Sequence, residues 1–395
     1  MERIYMDYNA TTPLHPEVLE AILPFLKGKF GNPSSIHWAG REIKGRIEEA
    51  REKVAALLNG DPSEIVFTSG GSESDNLAIK GVAFALKEKG THIITTQVEH
   101  PAVLNTCQYM ESAGYIVTYL SVDRQGMIDL DELRDAITEK TILISMMYAN
   151  NETGVLFPIR EIGEIAAERG IILHTDAVQA VGKIPMDVED LNVDLLSLSG
   201  HKLHGPKGVG CLYLKKGTRL TSLIHGGHHE EGRRAGTENT PGIVGLGKAC
   251  EIVVRDMAAQ SSHIAGLRDR LYTGITERLD YVILNGDPIN TLPNTLNLGF
   301  EFVEGESLLI SLDLEGIAVS TGSACSSGSL KPSHVLRAMK IPPELAQGSI
   351  RFSLGPENIE KEVEYVLDVL PEIVSRLRSI SPLYSGRLGE SRIVT

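Results

Sequence analysis

"SLSGHKLHGPKGVG", residues 197–210, ends an apolar run on Lys202 and then surrounds that lysine with turn residues. The run before it, VDLLSLS, is one of a series. EIVFT (64–68), HIITT (92–96), YIVTYL, TILISMMY and IILHTD are short, β-branched and apolar, as buried strands are. Helical patterns lie between them, at 72–90 and in PAVLNTCQYMESAG. Strand–helix alternation of this kind predicts an α/β fold with a mostly parallel sheet covered by helices on both faces. Such sheets bind ligands at the carboxyl ends of their strands. TSGGSES, VEHPA, YANNETG, HTDAVQ and SGHK all fall there, so five polar stretches converge on one rim.

Outside this block, residues 40–60 carry Ile47, Ala50, Val54 and Leu57 at helical spacing, with Gly60 as a stop. After about residue 260 the pattern changes. A helix over 262–280 precedes strands near 282–285, 294–302 and 348–354, and a last helix spans 357–379. The expected organisation is an N-terminal segment (1–15) packed with a small α+β domain (259–395), and a large α/β domain (16–258).

The net charge of −14 argues against a nucleic-acid or anionic-membrane surface. No apolar run approaches the ~18 residues of a membrane span. MERIYMDYN lacks the layout of a signal peptide. Four cysteines in 395 residues are too few for a disulfide framework, so a reducing cytoplasm is the expected location.

TSGGSESDN (68–76) joins a strand to a helix. Gly70 and Gly71 allow close backbone approach, and free N–H groups at a helix start bind phosphate. Ser72 with Asp75 three residues on reads as a capping box. A lysine at a strand end can form a Schiff base with an aldehyde, and the aldehyde cofactor that carries a phosphate is pyridoxal 5′-phosphate. That cofactor needs a carboxylate at its ring nitrogen, which Asp176 could supply, and Gln179 could meet its ring oxygen. Each residue also has a plain reading, as a solvated lysine, a loop cap or an ordinary helix start. One small molecule, however, would require all of them together.

The stretches NATTP (9–13), FGNPSSIH (30–37), TSGGSESDNLAIKG (68–81), EHPAV (99–103), ANNETG (149–154), HTDAVQAVGK (174–183), SGHKLHGPKG (199–208), RRAGTEN (233–239), STGSACSSGSL (320–330) and IRFSLG (350–355) carry a resemblance that covers nearly the whole chain. In this order they resemble the NifS/IscS-type cysteine desulfurases, fold-type-I pyridoxal-phosphate enzymes related to class V aminotransferases. The resemblance implies removal of sulfur from L-cysteine, giving L-alanine and an enzyme persulfide that feeds iron–sulfur cluster assembly or another sulfur acceptor. By the same resemblance Lys202 matches the lysine that bonds to the cofactor and moves the substrate proton. Gly71, Ser72, Ser199 and His201 match the phosphate cradle, and His100 matches the imidazole stacked on the ring. Asp176 matches the pyridinium partner, while Gln179 and Asn151 match residues near the ring hydroxyl and substrate. Thr237 matches a phosphate ligand offered by a second subunit, which implies a homodimer with shared sites. Arg351 and Asn32 match substrate contacts. Asp7-Tyr8-Asn9 departs from the family's usual aspartate followed by two asparagines.

Cys107, Cys211 and Cys250 lie in apolar patterns and read as small core residues. Cys325 lies among Gly, Ser, Ala and Thr. On composition it is either a thiol that must reach substrate or one merely tolerated in its loop. The resemblance makes it the sulfur-accepting nucleophile, able to touch a cluster or acceptor protein transiently. No resident metal is expected, although HGGHHEEGRR (225–234) brings His225, His228 and His229 close in sequence.

Overall fold

The structure, a computed structural model, describes residues 3–321, 333–382 and 384. A short strand, β1 (Ile4–Tyr5), precedes helices α1 (Pro16–Lys27) and α2 (Trp38–Leu58). The alternating region follows as β2 (Ile65–Thr68), α3 (Gly71–Ala85), β3 (His92–Thr96), α4 (Pro101–Ser112), β4 (Ile116–Leu120), α5 (Leu130–Ala136), β5 (Thr141–Met147), α6 (Ile159–Glu168), β6 (Ile172–Asp176), β7 (Leu195–Ser199) and β8 (Gly210–Leu214). These strands form one seven-stranded sheet in the order β2-β8-β7-β6-β5-β3-β4. It is parallel except for β8, which runs antiparallel to both β2 and β7.

Every residue of β2, β3, β5, β7 and β8 is buried, which is why these runs are mainly apolar on both faces rather than alternating. The edge strand β4 is only partly covered and does alternate more. One apolar cluster, built on Ile94, Ile144, Leu173 and Leu196, packs α2, α6 and the start of the next long helix against one face. A second, built on Leu77, Val82, Val103 and Leu212, holds α3 and α4 against the other.

The long helix α7 (Thr240–Arg278) replaces the shorter one expected over 262–280. The expected domain boundary at 258/259 therefore falls inside a continuous helix. Its first half, through Val253, buries Ile243 and Leu246 in the large core. Its second half, from Ile264, buries Leu267, Leu271 and Ile275 in another. That other core is closed by the antiparallel sheet β12-β13-β10-β9, made of β9 (Val282–Leu284), β10 (Thr295–Phe300), β12 (Ser320–Thr321) and β13 (Ser349–Ser353). α8 (Gly305–Leu314) and α11 (Glu360–Ser379) cover it, and β11 (Ile317–Ala318) pairs in parallel with β1. Ile4 and Met6 thus sit in the small core. Phe300 and Phe352 are fully enclosed there, and truncating either to alanine would cost about 3–5 kcal/mol. Short helices α9 (His334–Ala338) and α10 (Pro343–Gln347) send Val335, Leu336 and Leu345 back into the large core.

Candidate active site

The rim of the large sheet holds a cavity of about 310 Å³. Its walls come from segments far apart in sequence. Ser72 arrives with α3, His100 with the start of α4, and Asn151 after β5. Asp176 ends β6, Lys202 follows β7, and Arg351 belongs to β13 of the small unit.

The start of α3 differs from the expected capping box. The helix begins at Gly71, Gly70 takes the cap position, and no side chain caps the first turn. The one acid of that turn, Glu73, binds the Ser69 N–H and Arg234 instead of capping the helix start. Asp75 does not cap, because the helix turns it inward, where it is 1 % exposed and 3.7 Å from His174 Nε2. Gly70 adopts φ of +150°, and a Cβ on Gly71 would lie 2.7 Å from Val178 Cγ2. The closeness of the β6 loop to α3 thus depends on glycine.

Lys202 Nζ donates to the carbonyls of Asn9 (2.5 Å) and Ala10 (2.7 Å). Asp176 is buried, and its Oδ1 accepts the Val178 N–H at 2.9 Å. Burial raises its pKa, while His100 and Lys202 pull it back down. Asp75 faces Asp176 with no cation beside it, so burial first and Asp176 second drive its pKa well up. Of the two carboxyls Asp75 keeps the proton and Asp176 the charge. His174 lies between Ser145 Oγ (2.8 Å) and Ser197 Oγ (3.0 Å), and burial lowers its pKa to about 3, so it is neutral.

His100 caps α4, and its Nδ1 accepts the Ala102 N–H at 3.1 Å. That bond leaves the proton on Nε2. Burial lowers the pKa of His100. His201 Nδ1 meets Thr11 Oγ1 at 3.1 Å, and its pKa falls to about 4 through burial, then Lys202 and Lys207. Arg351 is buried, with Nη1 on the Asn151 carbonyl and Nη2 on Asp7 Oδ1, each at 2.7 Å. Its Nε is buried and has no hydrogen-bond partner.

This donor set fits pyridoxal 5′-phosphate. A primary amine, a buried carboxylate and an uncapped helix start line one cavity of suitable volume. An arginine with an unsatisfied buried N–H stands at its far wall.

The class-V aminotransferase family model matches residues 4–366. A cysteine desulfurase IscS from Dictyoglomus turgidum is 56% identical over 379 residues, 96% of each chain. The chain belongs to the NifS/IscS-type cysteine desulfurases. A second cysteine desulfurase IscS, from Methanosarcina thermophila, is 55% identical and covers 96% of this chain and 94% of its own. Among solved structures, a NifS-like protein superposes with a TM-score of 0.89 at 42% identity, over 95% of this chain and all of its own. A structure of SspA in complex with cysteine does so with 0.80 at 40% identity, over 90% of this chain and 100% of its own. Enzymes of this family are pyridoxal-phosphate dependent.

Of the residues singled out in the sequence, Gly71, Ser72, His100, Asn151, Asp176, Gln179, Ser199, His201, Lys202 and Arg351 line this desulfurase cavity. Asn32 and Thr237 do not. Asn32 is exposed and caps its own turn through the Ser34 N–H. Thr237 is exposed beside Thr68 and Gly208, in a separate recess. Cys325 lies outside the described residues. In the histidine-rich loop, His229 Nδ1 accepts the Gly236 N–H, and Glu230 is locked by Arg51 and the Phe67 N–H. Sequence reasoning did not place Asp75 or Lys183 in the site's framework, and it met Asp7 and Asn9 only as part of the family's opening motif, as a minor wall contact. The spacing of four between Gln179 and Lys183 was a usable signal.

Proposed function

We propose that the chain takes sulfur from L-cysteine, releasing L-alanine and leaving a persulfide on Cys325 for delivery to iron–sulfur cluster assembly or another acceptor. The observation that carries this is the meeting of Lys202, Asp176 and Arg351 on one cavity, with the amine and carboxylate from the large sheet and the guanidinium from the small one.

Lys202 would hold the cofactor's aldehyde, Asp176 its ring nitrogen, and the α3 start with Ser72, Ser199 and His201 its phosphate. When bound, pyridoxal phosphate supplies an electron sink for the substrate's Cα. Arg351 and Asn151 orient the substrate carboxylate, so that the Cα proton points to Lys202. Lys202 Nζ accepts that proton, and the burial of Asp176 keeps its charge close and unscreened. His100, with its proton on Nε2, donates toward the substrate sulfur side. The Cys325 thiolate forms the new S–S bond as the carbon–sulfur bond breaks. Sulfur leaves as the outer atom of the persulfide, the electron pair of the broken bond stays on the carbon side, Cβ takes up the proton given up by the substrate thiol, and Lys202 returns its proton to Cα, giving alanine.

Thr237, exposed on the protein surface, suits a phosphate contact to a second copy, which supports a homodimer with shared sites. Exposed Asn32 suits the same arrangement. Cysteines 107, 211 and 250 are unpaired and buried, which supports a reducing cytoplasm. No helix among the described residues is long and apolar enough to cross a membrane.

The test is direct. Protein loaded with pyridoxal phosphate, given L-cysteine and a thiol reductant, yields alanine and sulfide in equal amounts. Cys325→Ser keeps the coloured cofactor but forms no persulfide. Undiminished sulfide release by that variant would overturn the assignment of Cys325.

A further inference from the structure

We propose that Lys183, which does not line the cofactor cavity, is a positioning residue that fixes the amide of Gln179 with its NH2 end toward the cofactor. The inference rests on the pyridoxal-phosphate reading of this cavity.

Lys183 Nζ donates to Gln179 Oε1 at 2.7 Å and to Asn9 Oδ1 at 3.1 Å. Gln179 Nε2 in turn donates to the Asn9 carbonyl at 3.0 Å, the same carbonyl that takes a hydrogen bond from Lys202. Asn9 and Gln179 line the cofactor cavity, whereas Lys183 lines a neighbouring recess on the far side of them. The Asn9 and Asn151 carbonyls can only accept, so the NH2 ends of Gln179 and Asn9 lie against them and both side-chain oxygens turn to Lys183 Nζ. That decides between two otherwise similar orientations of Gln179 and of Asn9. In Gln179 the oxygen meets Lys183, and the nitrogen lies on the Asn9 carbonyl at the cavity wall. In Asn9 the oxygen also meets Asn294 Nδ2, and the nitrogen reaches Thr295 Oγ1 at 2.9 Å.

The charges facing Lys183 are cationic. Burial and then Lys202 and Arg351 push its pKa well below the ordinary lysine value, and His204 lies on the same recess. An amine kept among cations, with two amide oxygens and no carboxylate as partners among the described residues, gains little as an ion pair. Its geometry is that of an orienting donor.

The consequence is readable without turnover. A donor on the ring oxygen of the cofactor withdraws charge and makes the nearby Lys202 nitrogen a weaker base. With Lys183 gone, the Gln179 oxygen loses its donor and the amide is held through the Asn9 carbonyl alone, so its NH2 is less firmly presented. The pH midpoint of the visible absorbance of the loaded protein then rises.

The experiment titrates that absorbance in loaded protein carrying Lys183→Met, Gln179→Leu or both. Lys183→Met is expected to raise the midpoint by about one pH unit, a tenfold change. Gln179→Leu raises it similarly, and the double variant adds nothing to either single one. Lys183→Arg, still a donor, returns the midpoint to near that of the unmodified protein. Should Lys183→Met fail to fold, Lys183→Ser takes its place in the same cycle. A midpoint unmoved by loss of Lys183, or shifts that simply add, overturns the role assigned to Lys183. A protein that stays colourless with added pyridoxal phosphate overturns the cofactor reading and this inference with it.

Discussion

Arg351 Nη2 lies 2.7 Å from Asp7 Oδ1, so the guanidinium that faces the cavity is paired before any substrate carboxylate arrives. Its other nitrogen rests on the Asn151 carbonyl, and the ion pair is almost wholly enclosed on the arginine side. A substrate carboxylate must share this group with Asp7. Arg351→Lys loses the two-pronged contact and is expected to raise the KM for L-cysteine at least about tenfold, with a smaller fall in kcat. Asp7→Asn moves KM the other way, because it removes the competing charge. Steady-state kinetics on both variants checks this, and a higher KM for Asp7→Asn would show that Asp7 orients the arginine rather than competing for it.

The two buried carboxyls under the cavity differ in what they carry. Asp176 has a backbone donor and the Lys202 charge nearby, whereas Asp75 has a buried Oδ1 without a hydrogen bond. Asp176→Asn removes a fixed charge from the reacting group and is expected to cost about a hundredfold or more in kcat. Asp75→Asn replaces a group that is already neutral and should leave kcat near that of the parent at pH 7. Equal losses in both would mean that Asp75 is ionised.

The sheet was legible because its strands are buried on both faces. Full burial favours mostly apolar runs such as ILIS and LLSL, broken only by a small serine, and the polar rim stretches then stand out at their ends. The cavity residues were legible for the same reason, since Asp176 ends a buried strand and Lys202 closes the turn after another. α7 was only half legible, because its first half is small and apolar and resembles a strand or a turn region, with glycines at 242, 245 and 247. Those glycines let α7 approach close neighbours, and a Cβ on Gly247 would lie 2.6 Å from Ala50. Asp75 was misread because a capping box and an inward-facing aspartate share one spacing, and only tertiary burial separates them. Asp7 gave no local sign, since its partner Arg351 lies on a segment that meets it only in the fold, whereas Lys183 stands four residues from its partner Gln179.

Thiol chemistry separates the cysteines. Cys107 and Cys250 are buried with pKa values pushed up to about 12, and burial also drives Cys211 well above its ordinary value. All three are poor nucleophiles in the native protein. Of the four cysteines, iodoacetamide at pH 7.5 or so is expected to label Cys325 alone, with all four modified after denaturation. Peptide mapping by mass spectrometry reads the result. Native labelling of Cys107 or Cys250 would contradict their placement in the core.

Glu99, next to His100, predicts how stability follows pH. It is fully enclosed, with Oε1 accepting the Thr96 hydroxyl (2.9 Å) and the Met147 N–H (3.0 Å), while Oε2 has no partner. Burial raises its pKa to about 8 from an ordinary 4.5. Between those values the folded protein binds a proton that the unfolded chain does not, so stability falls as pH rises from about 4.5 to 8. Below that window Glu99 is protonated in both states and costs nothing extra. Glu99→Gln keeps the acceptor at Oε1 and removes the titration. The variant is expected to match the parent's melting temperature near pH 4.5 and to exceed it by about 2 °C or more at pH 8.5. His174 acts with the opposite sign on the acid side, since its pKa of about 3 makes stability fall as pH drops below its unfolded value. Thermal melts of parent and Glu99→Gln from pH 4.5 to 9 measure the difference directly. Parallel curves across that range would mean that Glu99 is ionised in the folded protein, with a cation or water paired to Oε2.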